Sequence, residues 1–444
     1  MKINKKAALH NLGCKVNAYE TEAMQQILEN AGYEIVPFTE YADVYVVNTC
    51  SVTNMADRKS RQMLHKAKKM NPDAIVVGAG CYVQTKEAEA LLDDTVDIVI
   101  GNNKKHELLA MIEAYENDHG KCGNVIDINH EKQEYEEMFL ERTAEHTRAF
   151  IKVQDGCNQF CSYCIIPYTR GRVRSRRPED VEEEVRTLAE KGYQEIVLTG
   201  IHLSSYGTDF KEEPQDLLEL TKRLHQIPGV KRIRFGSLEP RLITEEFVRE
   251  LSAMEKICPH FHLSLQSGCD ATLKRMNRHY TCEDYLYRCG ILRKYFRDPA
   301  ITTDVIVGFP GETDEEFAET KKFLETVHFY EMHVFKYSRR AGTRADRMPD
   351  QVPEPVKTKR SAELLALEKE MSKAYRASFL GRETEVLLEE PVEIGGARYM
   401  VGHTKEYVKA AVPEAGGKNC FVRGVLKEFL TDEIIYLAEN PDLG

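Results

Sequence analysis

One nine-residue stretch, Gly156–Cys164 (GCNQFCSYC), constrains this chain more than any other, because it carries Cys157, Cys161 and Cys164. Three thiolates at such spacing suit zinc or an iron–sulfur cluster, and a self-contained tetrahedral site needs four. A ligand set one short leaves one metal position open. An open iron serves no storage purpose and is valuable for chemistry on a bound ligand.

The surroundings of that loop read as strand then helix, repeated. Strands are expected at Phe150–Gln154, Glu195–Thr199, Lys231–Phe235, Phe261–Leu265, Ile301–Val307 and His333–Tyr337. Helical stretches fall between them at Pro178–Lys191, Gln215–His225, Glu245–Met254, Glu283–Tyr295 and Asp314–Val327. Six such units imply a partial (β/α)6 barrel over residues 147–376, whose chemistry belongs at the carboxyl ends of the strands. The three-cysteine loop follows the first strand, where that rule places it. Other strand exits carry Thr199 and Gly200 (LTGIHLSSYG), Ser264 and Gln266 (SLQSG), and Asp304 and Gly308 (DVIVGFPGET). Hydroxyl, amide and carboxylate groups on glycine-bearing turns can bind a nucleoside and an amino acid.

The first 116 residues read as a separate parallel-sheet βαβ domain. Continuous apolar runs at Ala7–Leu12, Val44–Asn48 and Ala74–Gly78 have the character of strands buried on both faces. Met24, Ile27, Leu28 and Ala31 repeat at helical spacing, with Gly32 as a C-terminal cap. Cys14, Cys50 and Cys81 each follow one of those strands. At the carboxyl edge of a parallel sheet, residues far apart in sequence converge beside one crevice. This geometry implies a second cluster with three protein ligands. Residues 117–146 are polar and acidic and read as a linker in which Cys122 is incidental.

Twelve cysteines without an export-like N-terminus or a membrane-length apolar run point to a reducing cytoplasm and metal ligation. The net charge of −11 excludes a generic basic nucleic-acid coat, so any such contact needs a local patch. TRGRVRSRRPED, with Arg170, Arg172, Arg174, Arg176 and Arg177, is the expected phosphate-seeking patch; Arg170 and Arg172 are the expected substrate contacts. Val356–Arg376 reads as a long helix. Residues 377–444 alternate in short runs with Gly395-Gly396 and Gly416-Gly417 turns, as in a small antiparallel β-barrel. From Arg376 onward, 8 basic face 12 acidic residues, so charge gives no support to RNA binding there and leaves a structural cap as the alternative.

The Cys-x3-Cys-x2-Cys spacing with Tyr163 before the last cysteine resembles the signature of the radical S-adenosylmethionine (SAM) superfamily. LGCKVNAYETEAM, VVNTCSVTNMADRKSRQ, VQDGCNQFCSYCIIPYTRGRVRSR, SLEP, HLSLQSGCD, KRMNRHYT and DVIVGFPGETDEEF together resemble its methylthiotransferases, essentially from end to end. The branch most resembled acts on threonylcarbamoyl-adenosine beside the tRNA anticodon; sister branches act on isopentenyl-adenosine or on a ribosomal-protein aspartate. The resemblance implies two [4Fe–4S] clusters, one on Cys14, Cys50 and Cys81, the other on Cys157, Cys161 and Cys164. It implies SAM at the open iron of the second, cleaved to a 5′-deoxyadenosyl radical, with Tyr163, Thr199, Gly200, Ser264, Gln266, Asp304 and Gly308 as its expected cradle. It further implies a TRAM-like C-terminal barrel, tRNA as partner, and an electron donor such as flavodoxin or ferredoxin. An alternative of another class, an iron–sulfur redox sensor that binds RNA without catalysis, explains the cysteines and arginines but not the glycine-bearing strand exits.

Overall fold

The computed structural model describes residues 5–131, 133–143, 147–211, 215–413 and 417–439. The expected turn residue Gly416 and linker positions 132 and 144–146 lie outside them.

The first sheet comprises β1 (Lys6–Asn11), β2 (Glu34–Ile35), β3 (Val44–Thr49), β4 (Ile75–Gly80), β5 (Ile98–Ile100) and β6 (Cys122–Asn124). Its order is β2-β1-β3-β4-β5-β6 and every pair is parallel. Both β3 and β4 are buried at every position, which is why VYVVNT and IVVGAG are apolar without alternation. Helix α1 (Lys15–Asn30) covers one face through Tyr19, Ala23, Met24 and Leu28. The other face is covered by α2 (Asn54–Met70) through Leu64 and Ala67. Gly32, at φ +94°, sits just past the α1 cap, where a left-handed residue lets the chain turn back. The linker reading needs correction at its start: β6 and its Cys122 extend the first sheet beyond residue 116.

The central region holds β7 (Ala149–Asp155), β8 (Arg174–Ser175), β9 (Glu195–Gly200), β10 (Arg232–Phe235), β11 (Ser237–Leu238), β12 (His260–Leu263), β13 (Ala300–Val307) and β14 (Glu331–Lys336). They form two sheets, β10-β9-β7-β8 and β11-β12-β13-β14. The split falls at Gly236: the third expected strand, Lys231–Phe235, is β10 of one half, and β11 just beyond it begins the other half of a six-position partial barrel. The short β8, antiparallel to β7, gave no sequence signal. Helices at Pro178–Glu190, Leu217–His225, Glu245–Ser252, Cys282–Tyr295 and Asp314–Val327 wrap the outside. Thr281 and Thr313 start the last two with reciprocal capping boxes.

A 24-residue helix, Glu354–Ala377, leads to a closed barrel of β15 (Glu383–Ile394), β16 (Ala397–His403), β17 (Lys409–Pro413), β18 (Phe421–Phe429) and β19 (Ile435–Glu439). Gly395 and Gly396 both have positive φ, as the tight β15–β16 hairpin requires. This barrel docks on the amino ends of the central strands. Arg232 and Arg234 of β10 donate to the carbonyls of His403 and Lys405, and His260 of β12 stacks on Tyr407 at 4.7 Å. It therefore closes the end of the central barrel opposite the cysteine loop.

Candidate active site

Cys157, Cys161 and Cys164 lie in the loop directly after β7. Gly156 enters it at φ +71°, and a Cβ there would overlap the Arg172 carbonyl, so no other residue fits. The loop is clamped by the segment after Thr272. Ser162 Oγ donates to the Arg275 carbonyl at 2.8 Å, Asn277 Nδ2 to the carbonyls of Gln159 and Phe160, and Arg278 Nη1 to Cys161 Sγ at 3.3 Å. Burial pushes the thiols of Cys157 and Cys164 up to about 11 and about 12. At neutral pH without metal these thiols hold their protons.

The three cysteines open onto a cavity of about 350 Å³ at the carboxyl ends of the strands, large enough for a small-molecule ligand. Of the residues expected in the cradle, Tyr163, Ser264, Gln266 and Asp304 line it. Thr199, Gly200 and Gly308 do not. Thr199 is buried; a Cβ on Gly200 would meet the Gln154 side chain, and one on Gly308 the stem of Lys357. These residues allow close packing behind the wall. The wall instead includes His202, Glu239 and Arg278. Burial lowers His202 to about 4, leaving a neutral imidazole whose Nδ1 pairs with Ser205 Oγ at 2.7 Å. Arg278 and Tyr280 both hold the Ser264 carbonyl, fixing the turn that bears Gln266. His202 and Arg278 stand inside LTGIHLSS and KRMNRHYT, so motif context was the only signal available. Beside Asp304, on adjacent strands, His262 and His333 stack at 5.8 Å, and His262 Nε2 lies 3.4 Å from the Asp304 carboxylate.

Cys14, Cys50 and Cys81 follow β1, β3 and β4 at one edge of the first sheet. A Cβ on Gly13 (φ +111°) would stand 3.1 Å from Cys50 Sγ, so glycine lets the first two strand exits approach. Asn102 Nδ2 reaches Cys81 Sγ at 3.5 Å and the Thr169 carbonyl at 2.8 Å, tying this trio to the loop after Cys164. Solvent reaches Cys14, yet burial on its other sides still raises its thiol, and it pushes Cys50 up to about 11. Val52 and Thr53, just beyond Cys50, line the cavity of the other trio. The strand exit that carries Cys50 therefore adjoins the cavity of the other trio.

The arginine run requires correction. Arg170 is fully buried: Nη1 donates to Glu20 Oε1 at 2.9 Å and to Asp155 at 3.1 Å, and Nη2 to Asn17 Oδ1 at 2.6 Å. Lys152 and Lys105 join the same cluster, at 2.7 and 2.9 Å from Glu20. Burial alone would raise Glu20, but Arg170, Lys105 and Lys152 outweigh it and hold its carboxyl well below the usual range. Arg174 and Arg176 are also buried, the latter paired with Glu184. Only Arg172 and Arg177 reach solvent, with Arg172 lying over the Phe160 ring at 4.7 Å. Arg170 thus joins α1 to β7 and is not offered to solvent as a phosphate contact. Arg174 lies 3.7 Å from Asp155, so four buried cations stand within ion-pair reach of two carboxylates, and Arg170 acts electrostatically on Cys14 and Cys50. An excess of buried positive charge fits a neighbouring set of anionic thiolates. Among the described residues the cysteines of both trios are free thiols, a donor set that fits iron–sulfur clusters.

Comparison with known proteins agrees with this layout. The Radical SAM superfamily model matches residues 151–324, and the Uncharacterized protein family UPF0004 matches residues 6–101. Threonylcarbamoyladenosine tRNA methylthiotransferase MtaB of Bacillus subtilis (strain 168) is 45% identical over 90% of this chain and 89% of that protein. The protein so named in Aquifex aeolicus (strain VF5) is 40% identical over 87% of this chain and 93% of its own. A tRNA-2-methylthio-N(6)-dimethylallyladenosine synthase of Thermoanaerobacter sp. (strain X514) is 38% identical over 86% of this chain and 81% of its own. Among solved structures, the radical S-adenosylmethionine methyltransferase TsrM of Kitasatospora setae superposes with a TM-score of 0.56, at 16% identity, covering 77% of each chain. That likeness concerns the fold.

Proposed function

The chain belongs to the radical SAM methylthiotransferases, a family that uses SAM and [4Fe–4S] clusters, and from that membership we propose that it adds a methylthio group to carbon-2 of threonylcarbamoyl-adenosine beside the tRNA anticodon. The observation that supports the reading is the closeness of the two cysteine trios: Val52 and Thr53, just beyond Cys50, line the cavity onto which Cys157, Cys161 and Cys164 open. The relatives at 45% and 40% identity bear the threonylcarbamoyl-adenosine name, which favours that base over isopentenyl-adenosine.

In this reading Cys157, Cys161 and Cys164 hold one cluster and Cys14, Cys50 and Cys81 the other. Cluster and SAM supply, when bound, the one-electron chemistry needed to act on an unactivated carbon. The chain's own residues position and exclude. The Arg278 guanidinium places a half-buried positive charge at Cys161, and Tyr163, Ser264, Gln266 and Asp304 offer polar contacts to a bound nucleoside and amino acid. The docked C-terminal barrel closes the far end against water. The target base enters unstacked, as an anticodon loop permits. A flavodoxin- or ferredoxin-like donor supplies electrons in the cytoplasm; no helix among the described residues is long and apolar enough to cross a membrane.

Mass spectrometry of tRNA nucleosides with and without the gene tests this. Loss of methylthio-threonylcarbamoyl-adenosine is expected. Loss of methylthio-isopentenyl-adenosine would transfer the assignment to that base, and unchanged nucleosides would overturn it.

A further inference from the structure

With three of the five expected arginines buried and the C-terminal barrel docked away from the cavity, a polyanionic substrate needs further cations elsewhere. A concentrated basic surface beside the cavity is α2, NMADRKSRQMLHKAKKM, with six Lys or Arg against one Asp on a chain of net charge −11. The single acid, Asp57, is turned inward and paired with Arg340 at 2.8 Å. At 100° per residue, Met55, Arg58, Lys59, Gln62, Lys66 and Lys69 share one outward face, and all are exposed. Arg58, Lys59, Lys66 and Lys69 form no ion pair or side-chain hydrogen bond with any described residue. By contrast Lys68, on the flank, is paired with Asp97 and Arg61 lies over Tyr82. Opposite charges at i,i+4 stabilise an exposed helix face and like charges destabilise it; this face carries like charges that repel one another and gain nothing from the chain itself.

Position gives the stripe its meaning. α2 starts at the cavity mouth, where Val52 and Thr53 line the cavity and Asn54 and Met55 line an adjoining groove with Phe335, Lys336 and Ser338. Val52, Met55 and Phe335 are about half exposed there, an apolar rim on which unstacked bases can rest. From the rim the helix runs about 25 Å outward, the span of several phosphates. Building on the tRNA reading above, we infer that the outward face of α2 is the RNA-backbone docking surface, with Arg58, Lys59, Lys66 and Lys69 on successive phosphates of the anticodon stem–loop. These contacts set position and carry no sequence information.

Binding of a labelled anticodon stem–loop to the cluster-loaded enzyme across a salt series tests the inference. The variant Arg58→Ala/Lys59→Ala/Lys66→Ala/Lys69→Ala should bind at least tenfold more weakly at about 0.1 M salt. Its slope of log K against log[salt] should be shallower by about 3, four phosphates at roughly 0.7–0.9 each. SAM cleavage by the reduced enzyme without RNA should persist, and the charge-conserving variant Arg58→Lys/Lys59→Arg/Lys66→Arg/Lys69→Arg should restore binding. An unchanged salt slope in the alanine variant overturns the assignment. So does unchanged RNA affinity with a raised KM for the reductant, which would give the face to an acidic electron-transfer protein. If the unaltered enzyme itself fails to bind the stem–loop, the tRNA reading fails first.

Discussion

Arg170→Met separates a buried keystone from a substrate contact. The guanidinium spans Glu20 and Asn17 of α1 and Asp155 at the end of β7, so it joins the two sheets that carry the two cysteine trios. Removing one member of a buried ion pair costs about 3–5 kcal/mol, because the abandoned charge stays desolvated. Here Lys152 and Lys105 still face Glu20, and Lys152 lies 2.7 Å from Asp155, which puts the loss at the lower end, about 3 kcal/mol. Against a net stability of about 5–15 kcal/mol that is a large share. At about 2–4 °C per kcal/mol for a domain of this size, Tm should fall by about 6–12 °C. Circular dichroism melts of the anaerobic protein measure it. The deficit also depends on pH. Glu20 titrates lower in the folded chain than unfolded, so its stabilisation is present above about pH 4 and is lost as pH falls toward the folded value. In the variant that acid-labile contribution shrinks. A Tm within about 2 °C of the parent, together with weaker RNA binding, would refute the keystone account and restore Arg170 to the substrate surface.

Cys157→Ala, Cys161→Ala or Cys164→Ala should abolish SAM cleavage, measured as 5′-deoxyadenosine, whereas Cys14→Ala, Cys50→Ala or Cys81→Ala should spare it and stop methylthiolation. Reconstituted protein should hold about eight irons and each cysteine variant about four; identical loss of both activities in every variant would break the division. Gly156→Ala should mimic loss of the central cluster, read as iron content and cluster absorbance, since a Cβ meets the Arg172 carbonyl and the residue sits at φ +71°. Thiols at about 11 and 12 must lose protons to bind iron, so reconstitution of the central site should become more favourable as pH rises from 6 to 9, with proton release on loading. A flat pH dependence would contradict that.

The amino-acid sequence determined what depends on local chemistry and period. Continuous apolar runs marked the parallel strands, threonines set helix starts, and cysteine spacing alone disclosed a three-ligand loop. Cys14, Cys50 and Cys81 could be grouped from their places just past three apolar runs, because parallel strands end at a common edge. Other features were decided by partners far along the chain. Arg170 and Arg172 look alike in TRGRVRSRR, yet Glu20, 150 positions away, draws one inside while the other stays in solvent. Thr199, Gly200 and Gly308 occupy the right strand ends but lie off the cavity wall, and the side chains of Gln154 and Lys357 pack closely against the two glycines. Burial of a charge is a property of the whole packed assembly, because only a counter-ion brought in by the fold offsets the cost of leaving water. Tertiary structure therefore decided which cations remain outside for an RNA backbone.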